Sequence, residues 1–289
     1  MSGHQDLISV ITPSYNQHDF LTDNIDSLNM QKDKNFEQII VDGGSTDGTV
    51  EMLEDASPEY DLRWISEPDN GQSDAINKGL KMANGEWIAW LNADDFYYPN
   101  VLAKVRECFQ ENTDVVYGDF CFVDQERQVL YCQYNTLPSK LTERFWTRFA
   151  GNHCTFFRST VLKRIGGVDE NLDYTMDADL FWRLLQEDHI AFHHLPRTIA
   201  ARRLHDAAKT VNQSGEEMGE ILDEKRQIYR GYVPETVPEI VLTAGVGLSF
   251  KTILMLYEAL NPKYQLSIRR MLKGVSADYR RAITSLLGD

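Results

Sequence analysis

The chain opens on an apolar, β-branched run, Leu7 to Thr12, that stops at the turn-forming cluster Pro13-Ser14-Tyr15-Asn16. Beyond it Phe20, Ile25 and Leu28 fall on one helical face, so the first unit reads as a strand followed by an amphipathic helix. The pattern then repeats. Gln38 to Val41 predicts a second strand, Gly43-Gly44-Ser45 a turn, and Thr49 to Asp55 a helix with Ser45, Thr46 and Asp47 as capping candidates. Leu62 to Ser66 predicts a third strand and Ser73 to Ala83 a helix. Trp87 to Leu91 is a fourth strand, ended by Asn92-Ala93-Asp94-Asp95, and Asn100 to Gln110 a further helix. Strands alternating with helices of this length predict a doubly wound, mostly parallel α/β sheet.

After Val115 the rhythm shortens. Phe120 to Val123 and Val129 to Tyr134 predict a hairpin around Asp124 to Arg127, a small β element added to the main sheet. Ser159 to Ile165 and Asp177 to Gln186 read as helices, and the polar stretch His205 to Ser214 as a mobile loop. With 289 residues, no fixed repeat and no linker tract, the expectation is one α/β domain over 1–212 and a helical appendage over 213–289.

Composition narrows the classes of function. The net charge is −15, which argues against a general nucleic-acid-binding role that depends on Lys and Arg to neutralise phosphates. The acidity lies in the body of the chain, since the segment from Lys251 onward holds seven basic residues against three acidic ones. Cys108, Cys121, Cys132 and Cys154 form no C-x-x-C pair, so the reading is four free thiols in a reducing cytosol, without structural zinc or a secretory leader.

In an open α/β sheet, ligands collect beyond the carboxyl ends of the strands. Three successive predicted strands end there in polar clusters, Pro13 to Asn16, Asp42 to Ser45 and Asn92 to Asp95. Each alone would serve as a turn, but three on one edge outline a site. Asp94 and Asp95, adjacent carboxylates after an apolar strand, concentrate negative charge that a cation or hydrogen bonds must offset. Hard oxygen ligands of this kind suit Mg²⁺ or Mn²⁺, which keep water and bridge to phosphate oxygens.

These motifs, taken in order, resemble the inverting family 2 glycosyltransferases with their GT-A fold. The resemblance runs through Ile8 to Asn16, through Gln38 to Thr49 with its Val41-Asp42-Gly43-Gly44-Ser45 core, and through Glu67-Pro68-Asp69-Asn70-Gly71-Gln72-Ser73-Asp74. It continues at Asn92-Ala93-Asp94-Asp95, in the place of the family's D-x-D motif, and at Met176-Asp177-Ala178-Asp179, similar to the segment carrying the catalytic base. It covers residues 7 to 210, and several ordered motifs are more specific than any one alone.

The resemblance implies a sugar moved from a nucleoside diphosphate donor, UDP first, with GDP or dTDP as alternatives, to a glycan or lipid-linked acceptor. It implies that Thr12, Pro13 and Tyr15 line the nucleobase pocket, that Asp42 accepts a hydrogen bond from a ring N–H, that Asp69 and Asp74 sit near the base, ribose or donor sugar, and that Asn92 and Ala93 contact the donor. Asp74 reads equally well as a helix cap. Asp94, Asp95 and His205 are the implied ligands of Mn²⁺ or Mg²⁺, and Asn92 departs from the family by standing where an Asp is more usual. Asp177 is the implied general base, with helix capping as its plain alternative, and Asp179, two residues on, leaves that helical face. Arg202-Arg203-Leu204-His205 is similar to a later segment near the diphosphate, and His205, Lys209 and Thr210 would close over the donor as a lid.

Toward the C-terminus, Ile240 to Leu260 is broken by Lys251 and Glu258, a poor match to a membrane span. Lys263 to Arg281 mixes apolar and basic positions, which fits either a helix on an anionic membrane surface, at the cytoplasmic face, or a contact with a second copy of the chain. Two other functions compete. A sugar nucleotidyltransferase would need a glycine-rich, basic loop after the first strand, which is missing, and a non-catalytic nucleotide-binding scaffold would not need Asp42, Asp94, Asp95 and Asp177 together.

Overall fold

The computed structural model describes residues 6–135 and 150–205, with 220, 221, 223, 224, 227 and 228 beyond them. The apolar runs of the first third become strands β1 (Ile8–Ser14), β2 (Phe36–Asp42), β3 (Asp61–Ser66) and β4 (Trp87–Trp90). Every residue of β1, β2 and β4 is buried, as expected for parallel strands covered on both faces. The helices between them are α1 (His18–Asn29), α2 (Thr49–Asp55) and α3 (Gln72–Met82). All three neighbouring pairs are parallel, in the order β3-β2-β1-β4, so the chain reverses its direction of growth across the sheet at β1. That reversal opens a crevice at the carboxyl ends of β1 and β4.

Close approach of α3 to β1 depends on Gly79, where any Cβ would lie 2.4 Å from Ile11 Cγ2. The helix buries Ser73, Ala75, Ile76 and Gly79, small or aliphatic groups. Below the crevice runs a buried polar chain. Gln38 Nε2 donates to Thr12 Oγ1 (3.0 Å) and to Asn24 Oδ1 (2.7 Å), and the Tyr60 hydroxyl donates to Gln38 Oε1 at 2.6 Å. Asn24 Nδ2 in turn donates to the carbonyls of Asn92 and Asp95, both at 2.9 Å. These bonds tie α1, β1 and β2 to the loop that follows β4, and the side-chain amides of Gln38 and Asn24 are engaged through both their oxygen and their nitrogen.

The later part of the sheet is larger than a hairpin. Strands β5 (Phe96–Tyr97), β6 (Val115–Val123), β7 (Val129–Gln133), β8 (Thr155–Arg158) and β9 (Phe192–Arg203) extend it in the order β4-β8-β6-β9-β5, with β7 paired to β6. The expected hairpin is present, but β6 begins at Val115, five residues before the sequence reading placed it. β9 was not anticipated because Pro196 interrupts it. Its register on β6 jumps from Leu195 opposite Gly118 to Thr198 opposite Asp119, so the residue without an N–H falls where the ladder is broken. Helix α4 is Val101–Arg106, shorter than the predicted Asn100 to Gln110, since Asn100 has φ +60° outside the helix. Helices α5 (Ser159–Ile165) and α6 (Met176–Gln186) fall where expected.

One cysteine expectation is overturned. Cys121 and Cys132 face each other in register across β6 and β7, with Cα atoms 3.9 Å apart, and are joined by a disulfide. Spacing along the chain did not reveal this, because the pairing follows from the hairpin register. Cys108 and Cys154 are buried free thiols.

Ile221 is buried, and Ile228 packs against the cluster of Ile76, Trp90, Val168, Leu172 and Met176. Among the described residues no helix is long and apolar enough to cross a membrane. Lys209, Thr210, Ile240 to Leu260 and Lys263 to Arg281 lie outside the described residues.

Candidate active site

A cavity of about 560 Å³ lies at the carboxyl edge of the parallel strands. That is within the range of small-molecule sites. Of the residues singled out from sequence, Pro13, Tyr15, Asp69, Asn92, Ala93, Asp94, Asp95 and Asp177 line it. Thr12, Asp42, Asp74 and His205 do not.

The loops after β1 and β2 are bound to each other before they meet any ligand. Asn16, held at φ +51°, accepts the Thr46 N–H on Oδ1 (2.9 Å), and its own N–H donates to Ser45 Oγ at 2.7 Å. Asp47 accepts the N–H groups of both His18 and Thr49, capping the start of α2. Asp42 is fully buried and serves the same loop. Its Oδ2 accepts from Gly44 N (3.1 Å), Ser45 N (2.9 Å) and Ser66 Oγ (2.7 Å), and its Oδ1 from Ser45 Oγ at 2.5 Å. Thr12 is likewise buried, its hydroxyl engaged by Gln38. Asp74, in the first turn of α3, accepts the Asn70 N–H at 3.1 Å and pairs with Lys78. The Asn70 N–H, then Lys78, hold its carboxyl below the usual range, which fits the capping reading.

After β4, the side chain of Asn92 has a fixed orientation. Trp90 Nε1–H donates to Asn92 Oδ1 at 2.7 Å, and Gln72 Nε2 donates to the same oxygen at 2.9 Å. An indole nitrogen can only donate, so the amide oxygen must face Trp90 and the amide NH₂ is the end left for the cavity. Neither Trp90 nor Gln72 was singled out from sequence. Aromatic and amide side chains at those positions read as core and helix surface until the fold brings them to one point.

Asp94 and Asp95 point differently. Asp94 Oδ2 lies 3.0 Å from His205 Nε2, and the His205 ring packs on Phe20 with centroids 4.3 Å apart. Asp95 is 2 % exposed; its Oδ1 accepts the Arg203 backbone N–H at 3.0 Å and its Oδ2 lies 4.0 Å from His153 Nδ1. Burial first, and then the charge of Asp94, push the Asp95 carboxyl well above the ordinary range. β5 pairs with Ala200 and Ala201 of β9, which fixes Arg202, Arg203 and His205 beside this loop. Arg203, 3 % exposed, donates from Nε to the Asp94 carbonyl (3.1 Å), from one terminal nitrogen to the Gln125 carbonyl (2.8 Å) and from the other to Asp23 Oδ2 (2.7 Å). Both arginines line the cavity; Arg203 is held there as a structural brace, and Arg202 has its guanidinium over Phe122 at 5.5 Å.

Asp177 lies in the first turn of α6 at the cavity wall, its Oδ1 accepting the Ala178 N–H at 2.7 Å. Asp179 turns away, bonded to Arg183 Nε at 2.7 Å, and Arg183 also donates to the carbonyls of Ile165 and Gly167. The segment leading into α6 is held by Glu224, whose carboxylate accepts from the N–H groups of Asp173 (2.7 Å), Tyr174 and Thr175 (2.8 Å). Nothing in the local sequence around Glu224 identifies it, because its partners lie about fifty positions earlier.

Among the described residues, no group of three or more His, Cys, Asp and Glu side chains gathers to hold an ion. The pair Asp94 and His205 does fit a cation that completes its shell with water and phosphate oxygens, as Mg²⁺ and Mn²⁺ do.

A parallel sheet of this order, widened by mixed strands and carrying acidic loops at its carboxyl edge, defines the GT-A fold. The chain belongs to glycosyl transferase family 2, whose model matches residues 9–166. An uncharacterized glycosyltransferase of Rickettsia typhi is 29% identical over 277 residues, 91% of this chain and 84% of that protein. A PGL/p-HBAD biosynthesis glycosyltransferase of Mycobacterium bovis is 37% identical over 118 residues, 39% of this chain and 46% of that protein. Among solved structures, S. aureus TarS 1-349 in complex with UDP-GlcNAc superposes with a TM-score of 0.55 at 16% identity, covering 94% of this chain and 77% of that one. The mannosyltransferase PcManGT from Pyrobaculum calidifontis, in complex with GDP-Man and Mn²⁺, does so with a TM-score of 0.57 at 17% identity, covering 95% and 82%.

Proposed function

We propose that this glycosyltransferase moves a hexosyl or N-acetylhexosaminyl group, with inversion, from a nucleoside diphosphate sugar to a hydroxyl of a glycan or lipid-linked acceptor. The observation that carries this is the convergence of Asp94, Arg202 and Asp177 on one cavity. The three come from the loop after β4, the end of β9 and the start of α6, and no local turn requirement unites them. UDP is the first choice of donor, with GDP or dTDP as alternatives.

In this reading the Asp177 carboxylate takes the proton of the acceptor hydroxyl as its oxygen bonds to the anomeric carbon. The bond from that carbon to the diphosphate breaks on the opposite face, and its electron pair leaves with the phosphate oxygen. Arg202 meets the negative charge that develops there. Asp94, with His205 at its side, would hold Mn²⁺ or Mg²⁺, and such a cation would neutralise the leaving diphosphate when bound. Asp95 is assigned to the support of Asp94, through its bond to the Arg203 backbone. The Asn92 amide donates to a donor-sugar or ribose oxygen. A setting at the cytoplasmic membrane face, with the C-terminal region as contact to membrane or to a second copy, is part of the same proposal.

The test is release of nucleoside diphosphate from a panel of UDP-, GDP- and dTDP-sugars in Mn²⁺ or in EDTA. Slow metal-dependent hydrolysis of one donor, lost in Asp94→Ala, is expected. A wild type that binds nucleoside diphosphate tightly and never turns over any donor would instead make it a scaffold.

A further inference from the structure

We propose that Asp69, in place of Asp42, is the carboxylate that reads the hydrogen-bonding edge of the donor's nucleobase, and that the bare Cα of Gly43 makes the room for it. This rests on the donor being a nucleoside diphosphate sugar, as argued above.

A carboxylate offers about four acceptor positions. Asp42 already accepts four hydrogen bonds from within the protein, from Gly44 N, Ser45 N and Ser66 Oγ on Oδ2 and from Ser45 Oγ on Oδ1, and the residue has no exposed surface. A ligand N–H could reach it only by displacing the bonds that shape the loop. Asp69 is in the opposite condition. It lines the cavity, and its Oδ1 is fixed by the Gly71 N–H at 2.9 Å, which aims the second oxygen. That oxygen receives no hydrogen bond from the described residues and lies 2.8 Å from the point where a Cβ on residue 43 would stand; the carboxyl carbon is 3.1 Å from it. The Asp69 carboxylate therefore occupies the space of a residue-43 side chain, reaching it from the neighbouring strand's loop.

The surroundings define what this oxygen would meet. Pro13, Tyr15 and Pro68 share that end of the cavity with the flat backbone of Gly43, surfaces suited to a planar heteroaromatic ring. The cation and diphosphate belong with Asp94 and Arg202. A fixed carboxylate oxygen at the edge of a planar pocket accepts from an imide or amidine N–H, as on uracil, thymine or guanine, and rejects the edge of cytosine, which has an acceptor there.

The test measures binding of UDP and GDP in Mn²⁺ by calorimetry, then of the preferred nucleotide methylated on its ring N–H (N3 of uracil or N1 of guanine). Wild type is expected to lose at least tenfold in affinity on methylation. In Asp69→Ala the parent nucleotide should weaken about tenfold and the methyl penalty should vanish. Gly43 has no left-handed φ, so the exchange Gly43→Asp with Asp69→Gly can return a carboxylate to the same volume, and it should restore the penalty. A penalty that persists unchanged in Asp69→Ala overturns the assignment while leaving the transferase reading intact. Failure of wild type to bind either nucleotide overturns that reading and this inference with it.

Discussion

Glu224 accepts hydrogen bonds from both the backbone N–H (2.8 Å) and the hydroxyl (2.7 Å) of Thr175, the residue immediately before helix α6. Asp177 stands two residues further on, so a carboxylate from the far end of the described chain sets the entry of the helix that carries the candidate base. Charge-assisted bonds of this kind are each worth roughly 1.5–3 kcal/mol when intact.

Glu224→Gln should therefore act on turnover more than on donor binding. The amide retains one acceptor oxygen but brings donors where three N–H groups converge, which displaces the start of α6. We expect diphosphate release to slow by roughly tenfold, with nucleotide affinity within about twofold of wild type. An equal loss in both quantities would mean that Glu224 supports the whole cavity and not Asp177 in particular.

Asn92→Asp tests the orientation imposed by Trp90. The new carboxylate can still accept from the indole and from Gln72, so the loop should keep its shape. Its other oxygen then replaces a donor with a charged acceptor. Nucleotide binding in EDTA should weaken, and the Mn²⁺ concentration for half-maximal hydrolysis should fall, each by about three- to tenfold. Titrations with and without metal read both effects, and no change in either would remove Asn92 from the site.

Arg203→Ala removes three hydrogen bonds made by a side chain that is almost wholly buried; two carbonyls and Asp23 Oδ2 lose that donor, and Asp23 keeps only its pair with Arg127 through Oδ1. A loss of about 3 kcal/mol in unfolding free energy is expected from denaturant titration. Arg202→Ala, next in sequence, should leave stability within about 1 kcal/mol and slow diphosphate release instead.

How much of this was legible beforehand follows from which contacts are local. Strands β1 to β4 and helices α1 to α3 were readable because each carries its own apolar period and turn residues. β9 was not, since Pro196 and the charged Arg197, Arg202 and Arg203 contradict a strand pattern that is held only by pairing with β6 and β5. At the site, motif order pointed to Asp94, Asp69 and Asp177. It could not reveal that the Asp42 carboxylate is consumed by its own loop, because Ser66 comes from a different strand. Trp90, Gln72 and Glu224 were silent for the same reason, and Arg203 was placed near the diphosphate without its bracing role: their partners are set by tertiary structure.

Glu37 gives a pH dependence. Burial alone would raise its carboxyl, but the Ser9 hydroxyl, the Asn84 N–H and the Arg63 guanidinium together hold it below the usual range. A folded-state value below the unfolded one means that the ionised form is favoured by folding. The resulting stability is complete above the ordinary Glu range and disappears as pH falls through the lowered folded value. Glu37→Gln should therefore be less stable than wild type at pH 7, by about 2–4 kcal/mol, and the gap should narrow on acidification below pH ~4. A gap independent of pH would show that the loss is one of packing alone.

The most direct test of the central claim is the configuration of the sugar released when water takes the acceptor's place. Proton NMR should be recorded in the first minutes of donor hydrolysis, before mutarotation, for wild type and Asp177→Asn. If Asp177 activates a nucleophile on the face opposite the diphosphate, an α-linked donor should yield the β anomer first, and Asp177→Asn should reduce the rate by at least a hundredfold with nucleotide binding retained. Initial release of the α anomer, or an unimpaired Asp177→Asn, would contradict the assignment.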